Sequence, residues 1–354
     1  MLTYITRRLL LMPIILAAVT ILIFAMLSLL TPYERASLYV SDIPKKTGAL
    51  DGIIEKYGLD DPAPVQYWYW LVGRFDPDTN TTKGGVLRGN LGWSKTGKGD
   101  VKEVIGRRLP ATVELALWAG IPMIIVGIYL GVLAAIHHNR FIDQLLRVFS
   151  ILGYSIPIFV FGLLVLLLFY AKLGWFPPGR LSDWAMQVIQ SENFISYTRM
   201  YTLDALLNGR FDVFKDAVIH LILPSITLAY LNWAYLLRVT RSSLLDVLRQ
   251  DYMTTARAKG LTENIVLNRH ALRNALIPVV TIGALTLIGL LNGVVITETI
   301  FNYPGMGSFM SEAALSLDVV SVLGFTLFSS FILVAGNLIV DVLYGVIDPR
   351  IRLD

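Results

Sequence analysis

The 354-residue sequence contains no cysteine. Disulfides and thiolate metal sites are therefore excluded, and cysteine usage says nothing about the compartment. Charge is scarce too: 16% of residues are Asp, Glu, Lys or Arg, against about 25% in soluble domains. The net charge of +4 marks neither a nucleic-acid-binding protein nor a binder of soluble acidic partners. The four histidines, His137, His138, His220 and His270, form no zinc spacing such as H-E-x-x-H. Ionisable groups are also missing near the centres of the long apolar runs. An ion-coupled secondary transporter would need them there. An intramembrane hydrolase would need a Ser/His or paired-Asp constellation, and His220 stands alone.

What fills the sequence instead is apolar. Hydrophobic residues make up 55% of the chain, and the mean hydropathy is +0.61. Six runs reach the length of about 18 residues that a membrane span requires. They are Leu9–Tyr33, Leu115–Ile136, Val148–Ala171, Ala217–Leu237, Asn274–Thr297 and Val319–Val340. They are apolar on all sides, unlike the dyad alternation of a barrel strand. The first run follows Arg7 and Arg8 but is too long for a signal-peptide core, and no small-x-small site follows it. It reads as an uncleaved span. The expected fold is all-α and integral to the membrane, with six transmembrane helices.

Charge asymmetry orients these spans. With a cytoplasmic N-terminus, the inside segments hold Arg7, Arg8, Arg140, Arg147, Arg238, Arg241, Arg249, Arg257, Lys259, Arg269, Arg273, Arg350 and Arg352. The short outside loop Glu298–Asp318 holds no Lys or Arg. The positive-inside rule favours this arrangement and puts both termini in the cytoplasm. The chain then divides into a first helix (1–33), an extracytoplasmic region (34–112) and a core (113–354). The core carries an outer insertion at 172–216 and a cytoplasmic region at 238–273. The outer segments carry aromatic clusters such as "QYWYWLVGRF", which either shape the outer mouth, meet a partner or only pad the fold. "ETIFNYPGMGSFMSEAALSLD" reads as a turn and a short interfacial or re-entrant helix. Bent backbone at membrane depth is tolerated only beside protein or a water-filled cavity.

Polar residues inside the spans are pathway candidates: Ser155, Thr286, Asn292 and Asn337. The alternative is helix–helix hydrogen bonding. Asp341 lies one turn from Asn337, near the cytoplasmic end. Gly127/Gly131 and Gly289/Gly293 are GxxxG pairs suited to close helix packing. "GWSKTGKG" nearly matches a phosphate loop. It ends in Gly99 rather than Ser or Thr, lies outside the membrane and opens no strand–helix unit. No nucleotide site is expected on this chain.

The segment 251–278, "DYMTTARAKGLTENIVLNRHALRNALIP", is strongly cationic between two apolar runs. Leu244, Leu248, Tyr252 and Ala256 recur every fourth residue and predict one apolar stripe on a helix continuing inward from the fourth span. Lys259 suits the last turn. Gly260 suits a left-handed position past the helix end. Thr262 suits the cap of a returning helix, with Glu263 in its first turn. Thr254, Thr255, Ala256 and Ala258 are small, so the corner is shallow enough for close backbone approach. On residues alone, a docking elbow and a loop whose arginines only set topology both remain open.

The same stretch resembles the cytoplasmic-loop motif of ABC importer permeases, in the dipeptide/oligopeptide/nickel branch. "YGLDDPAPVQYWYWL", "GNLGWS", "RLPATVELAL", "ETIFNYPGMG" and the terminal "DPRIR" fit that branch in order and cover most of the chain. The resemblance implies the type I importer permease fold. It also implies that a short helix docks on an ATP-hydrolysing subunit through Tyr252, Thr255, Ala256, Arg257, Ala258, Lys259, Gly260 and Leu261. The general motif opens Glu-Ala-Ala where this chain has Thr254, Thr255 and Ala256, and its glycine-to-proline spacing is shorter than Gly260 to Pro278. Both departures are usual in the peptide branch. The outer insertion is longer than a minimal member needs. By resemblance, the chain is a non-enzymatic permease subunit in a bacterial or archaeal inner membrane. Its expected partners are a second permease, two ATPases that hold the ATP and Mg, a solute-binding protein and the lipid bilayer, but no nucleic acid. Peptides are the leading substrate, with oligosaccharides or nickel chelates as alternatives.

Overall fold

A computed structural model describes residues 2–37, 50–76, 81–292 and 294–347. The chain is mostly helical. The principal helices are α1 (Leu2–Ser28), α2 (Val101–Ile136), α3 (Phe141–Ser155), α4 (Ile158–Val165) and α5 (Phe211–Leu248). They are followed by α6 (Asp251–Ala258), α7 (Glu263–Leu291), α8 (Val295–Ile300), α9 (Met306–Leu315) and α10 (Val319–Ile347). Among the described residues, five helices are long and apolar enough to cross a membrane, and a bent pair brings the number to as many as six.

That bent pair covers the apolar run Val148–Ala171. α3 and α4, the latter running on as a π-helix over Leu166–Lys172, meet at 102°. The cause is local. Proline clashes with a helical predecessor, so Ile156 before Pro157 takes an extended conformation, with φ −95° and ψ 122°. The first apolar run also ends its helix early, at Ser28.

The chain forms two compact units. One comprises Thr6–Leu109 and Phe309–Ala335. Here the aromatic cluster is ordered: helix Ala63–Val72 places Tyr67 and Trp70 with ring centroids 5.4 and 5.9 Å from Phe24. The Tyr67 hydroxyl meets the Thr20 hydroxyl at 2.9 Å. Ala36, Ile54 and Leu59 form a small core beside them. Short antiparallel hairpins pair Arg74–Asp76 with Thr81–Lys83, and Trp93–Ser94 with Gly99–Asp100.

The other unit comprises Pro110–Ser308 with Met1–Ile5 and Gly336–Asp354. Small residues of α2 (Ala111, Ala116 and Ala119) pack with Leu115, Leu221, Leu228, Leu290 and Tyr303. The Gly127/Gly131 pair lets α2 and α5 touch: a Cβ at these positions would come 2.7 Å from Leu236 and 2.5 Å from Thr240. Gly289 faces no neighbour, and Gly293 lies outside the described residues. The 172–216 insertion folds as helices Asp183–Ile189 and Tyr201–Leu207, whose Ala185 and Ala205 pack on Val213 and Ala217.

Candidate functional site: the corner between α6 and α7

α5 ends at Leu248 and α6 begins at Asp251, because Gln250 is extended, with φ −73° and ψ 148°. The predicted continuous stripe is therefore rephased at this break. Of the four stripe residues, Leu244 and Ala256 are buried, Leu248 is half-buried and Tyr252 is exposed, and the neighbouring Met253 is buried instead. After α6, Gly260 adopts φ +78° and its N–H donates to the Arg257 carbonyl at 2.9 Å. Thr262 does occupy the position before α7, yet its side chain makes no capping hydrogen bond. The first turn is held instead by Glu263, which accepts from Arg257 Nε at 2.8 Å across the corner.

α7 starts with a single turn, passes through a π-helix at Val266–Ala271 and continues as α-helix from Leu272. The π turn sets which residues face inward. Val266, Ala271 and Ala275 are all fully buried and pack with Leu244, Met253 and Ala256. Regular α spacing would turn Ala271 away from Val266; one wider turn restores the face. The corner thus sits on an apolar seat shared by α5, α6 and α7. Ser243 Oγ donates to the Ala275 carbonyl at 2.8 Å, and Asn274 Nδ2 donates to the Tyr252 hydroxyl at 3.2 Å.

The eight residues expected to meet an ATPase fall as follows. Tyr252, Thr255, Arg257, Ala258, Lys259 and Gly260 are exposed on one contiguous corner, Leu261 is half-buried, and Ala256 faces the seat. The four pathway candidates are not joined by any hydrogen bond among the described residues. Ser155 is exposed at the α3 end and donates to the Ile151 carbonyl. Thr286 bonds back to the Ile282 carbonyl at 2.9 Å, as helix-interior hydroxyls often do. Asn292 ends α7 with Oδ1 unpartnered. Asn337 is exposed, and the side chain of Asp341 lies outside the described set.

Buried charges escaped the sequence reading. Glu114 of α2 accepts from Arg180 Nη2 at 2.5 Å, from the N–H and hydroxyl of Thr202 at 2.7 and 2.8 Å, and from the Tyr303 hydroxyl at 3.0 Å. Arg180 also lies over the Tyr201 ring at 3.7 Å. These contacts tie the 172–216 insertion to α2. Glu298 accepts from the Thr112 hydroxyl at 2.8 Å and the Ser308 N–H at 2.7 Å, with Gly305 and Gly307 closed around it. Burial pushes the Glu298 carboxyl pKa up, against the pull of those donors. The only sequence signal was an acidic residue set in an otherwise apolar or glycine-rich stretch. Asp143, in the first turn of α3, is fully buried and takes Arg241 from the C-terminal part of α5 in a fork at 2.6 and 2.8 Å.

"GWSKTGKG" folds as a hairpin in which the Ser94 hydroxyl and the Thr96 and Gly97 N–H groups are already committed. The Thr96 N–H and Ser94 hydroxyl both donate to Asp318 Oδ2 at 3.0 Å, an acceptor where a phosphate loop would present free N–H groups.

With this geometry in place, sequence comparison assigns the family. Residues 127–353 match the binding-protein-dependent transport system inner membrane component family. Residues 1–116 match the N-terminal part of binding-protein-dependent transport system membrane components. The chain belongs to this family. It is 39% identical to the oligopeptide transport system permease protein AppB of Bacillus subtilis over 354 residues, 99% of this chain and 100% of that one. It is also 39% identical to a probable D,D-dipeptide transport system permease protein of Escherichia coli, over 96% of this chain and 94% of the other. With the dipeptide transport system permease protein DppB of E. coli it shares 36% identity over 99% of both chains. The chain is therefore a multi-pass permease subunit of a transport system that works with a binding protein.

Proposed function

We propose that this permease is one of two membrane-spanning subunits of an ATP-driven importer of peptides. Two ATPase subunits hold the ATP and Mg, an extracytoplasmic solute-binding protein delivers the peptide, and both termini of this chain are cytoplasmic with six spans between them. The observation that carries the coupling role is the exposed small-residue corner on its apolar seat. Ala258, Lys259 and Gly260 offer a shallow surface, while Met253 and Ala256 lock α6 onto α5 and α7. Closure of an ATPase dimer would push the corner, and the seat would pass the push to two long rods. The peptide substrate is supported by relatives along the whole chain that are named as oligopeptide and dipeptide permeases. The pathway would run between the two permeases, with Ser155, Thr286, Asn292 and Asn337 as candidate lining.

A mild-detergent pull-down of the tagged chain, with mass spectrometry of what co-purifies, tests this. The expected result is recovery of an ATPase and a second six-span protein. Recovery of the chain alone, still moving solute in liposomes on an ion gradient, overturns it.

A further inference from the structure

The seat under the corner also takes Ala135, from the end of α2. No α3 side chain belongs to it among the described residues. α3 hangs on α5 instead. Ser150 Oγ donates to the Ala234 carbonyl at 2.9 Å, and a Cβ at Gly153 would come 3.1 Å from the Ala234 Cβ. Phe149 stands edge-on to the Tyr230 and Trp233 rings. The attachment nearest the seat is ionic. Arg241 lies one helical turn before Leu244 and gives Asp143 its fork; its Nη2 also donates to His138 Nδ1 at 3.2 Å. One guanidinium therefore holds both the α2–α3 connection and the first turn of α3.

The local turn does not need this charge. Asp143 Oδ2 accepts the Asn139 N–H at 2.9 Å, a bond that an asparagine oxygen would make as well. The negative charge serves the cations around it, Arg241 and, at 3.8 Å, Arg147. Asp143 is fully buried, so it cannot exchange the arginine for water, and drawing Arg241 away would strand a buried charge. Two parallel charge-assisted bonds also fix direction. Ring contacts such as Phe149 on Tyr230 can slide, whereas the fork cannot. From this tether α3 runs to the extended Ile156 and turns through 102° into α4.

We propose that Asp143 and Arg241 are positioning residues for coupling. The fork makes the start of α3 follow α5 when the corner is displaced, and so carries the displacement to the bend at Pro157 and into α4. This link rests on the ATP-driven reading above and names the contact through which the push leaves the seat.

The complete complex, reconstituted in liposomes with its solute-binding protein, tests the link through import of labelled di- and tripeptides per ATP hydrolysed. Asp143→Asn keeps the turn bond and removes the charge. Arg241→Gln removes the cation, and Arg241→Lys keeps a cation without the fork. Asp143→Asn and Arg241→Gln should each lower the peptide-to-ATP ratio at least about fivefold while ATP hydrolysis continues. Arg241→Lys should fall between them and wild type, and it reports on the link even where loss of the charge prevents assembly. A merely structural pair would lower the yield and melting temperature of the complex but leave the ratio of the assembled fraction untouched. An unchanged ratio in the variants that assemble therefore overturns the proposal. Absence of ATP-driven import by the wild-type complex would instead remove the ATP-driven reading, and this link with it, so the two failures are distinct.

Discussion

Gly260 meets no atom within 4 Å of where a Cβ would stand, so its only constraint is φ +78°. An L-residue there costs about 1–2 kcal/mol of local strain. Gly260→Val should therefore leave the amount of membrane-inserted chain unchanged while uncoupling ATP hydrolysis from peptide uptake. Gly260→Asn, which tolerates the left-handed region, should keep more coupling than Val. Normal uptake by Gly260→Val would discard the elbow. Asp318 is constrained oppositely, by its contacts. Burial raises its pKa, but hydrogen bonds from the Thr96 N–H, Ser321 and Ser94 outweigh this and hold it below the ordinary aspartate range. A depressed carboxyl stabilises the fold fully above its unfolded pKa of about 3.9 and loses that contribution as pH falls through the lower folded value. Asp318→Asn should thus lower thermal stability at neutral pH, and the gap to wild type should close below that window. A constant gap down to the most acid pH would show that the charge is not what matters.

Among elements, the π turn of α7 makes a claim about register. With it, Ala271 faces the seat and His270 only partly. In regular α-helix, His270 would stand one turn from Val266 and face inward. Ala271→Leu should overpack the seat at about 1–3 kcal/mol and reduce coupling. His270→Ala should change melting temperature little. If His270→Ala destabilises more than Ala271→Leu, the π register is wrong. The break at Pro157 was readable beforehand, since proline restricts its predecessor whatever the tertiary context. The break at Gln250 was not. No proline or glycine marks it, and the apolar period runs through it unbroken, so Tyr252 was placed on the stripe of the preceding helix and Met253 went unnoticed.

For the whole molecule, topology is the open quantity that a Cys-free chain makes simple to measure. Ala258→Cys should resist a membrane-impermeant maleimide in intact cells and react after permeabilisation. Glu192→Cys, exposed in the outer insertion, should react in both. Reversal of the two would invert the orientation. Hydropathy and arginine placement determined in advance that this is a helical membrane protein, and the motif stretches determined its family, because both signals lie in single residues or short neighbouring stretches. The left-handed Gly260 was legible for the same reason. Tertiary structure alone decided which residues of α6 and α7 seat the corner, and that Glu114, Arg180 and Glu298 are buried together with their donors. Those outcomes depend on where α2, the insertion and the turn after α8 meet, and contacts between residues as far apart as Thr112 and Glu298 leave no periodic trace in the chain.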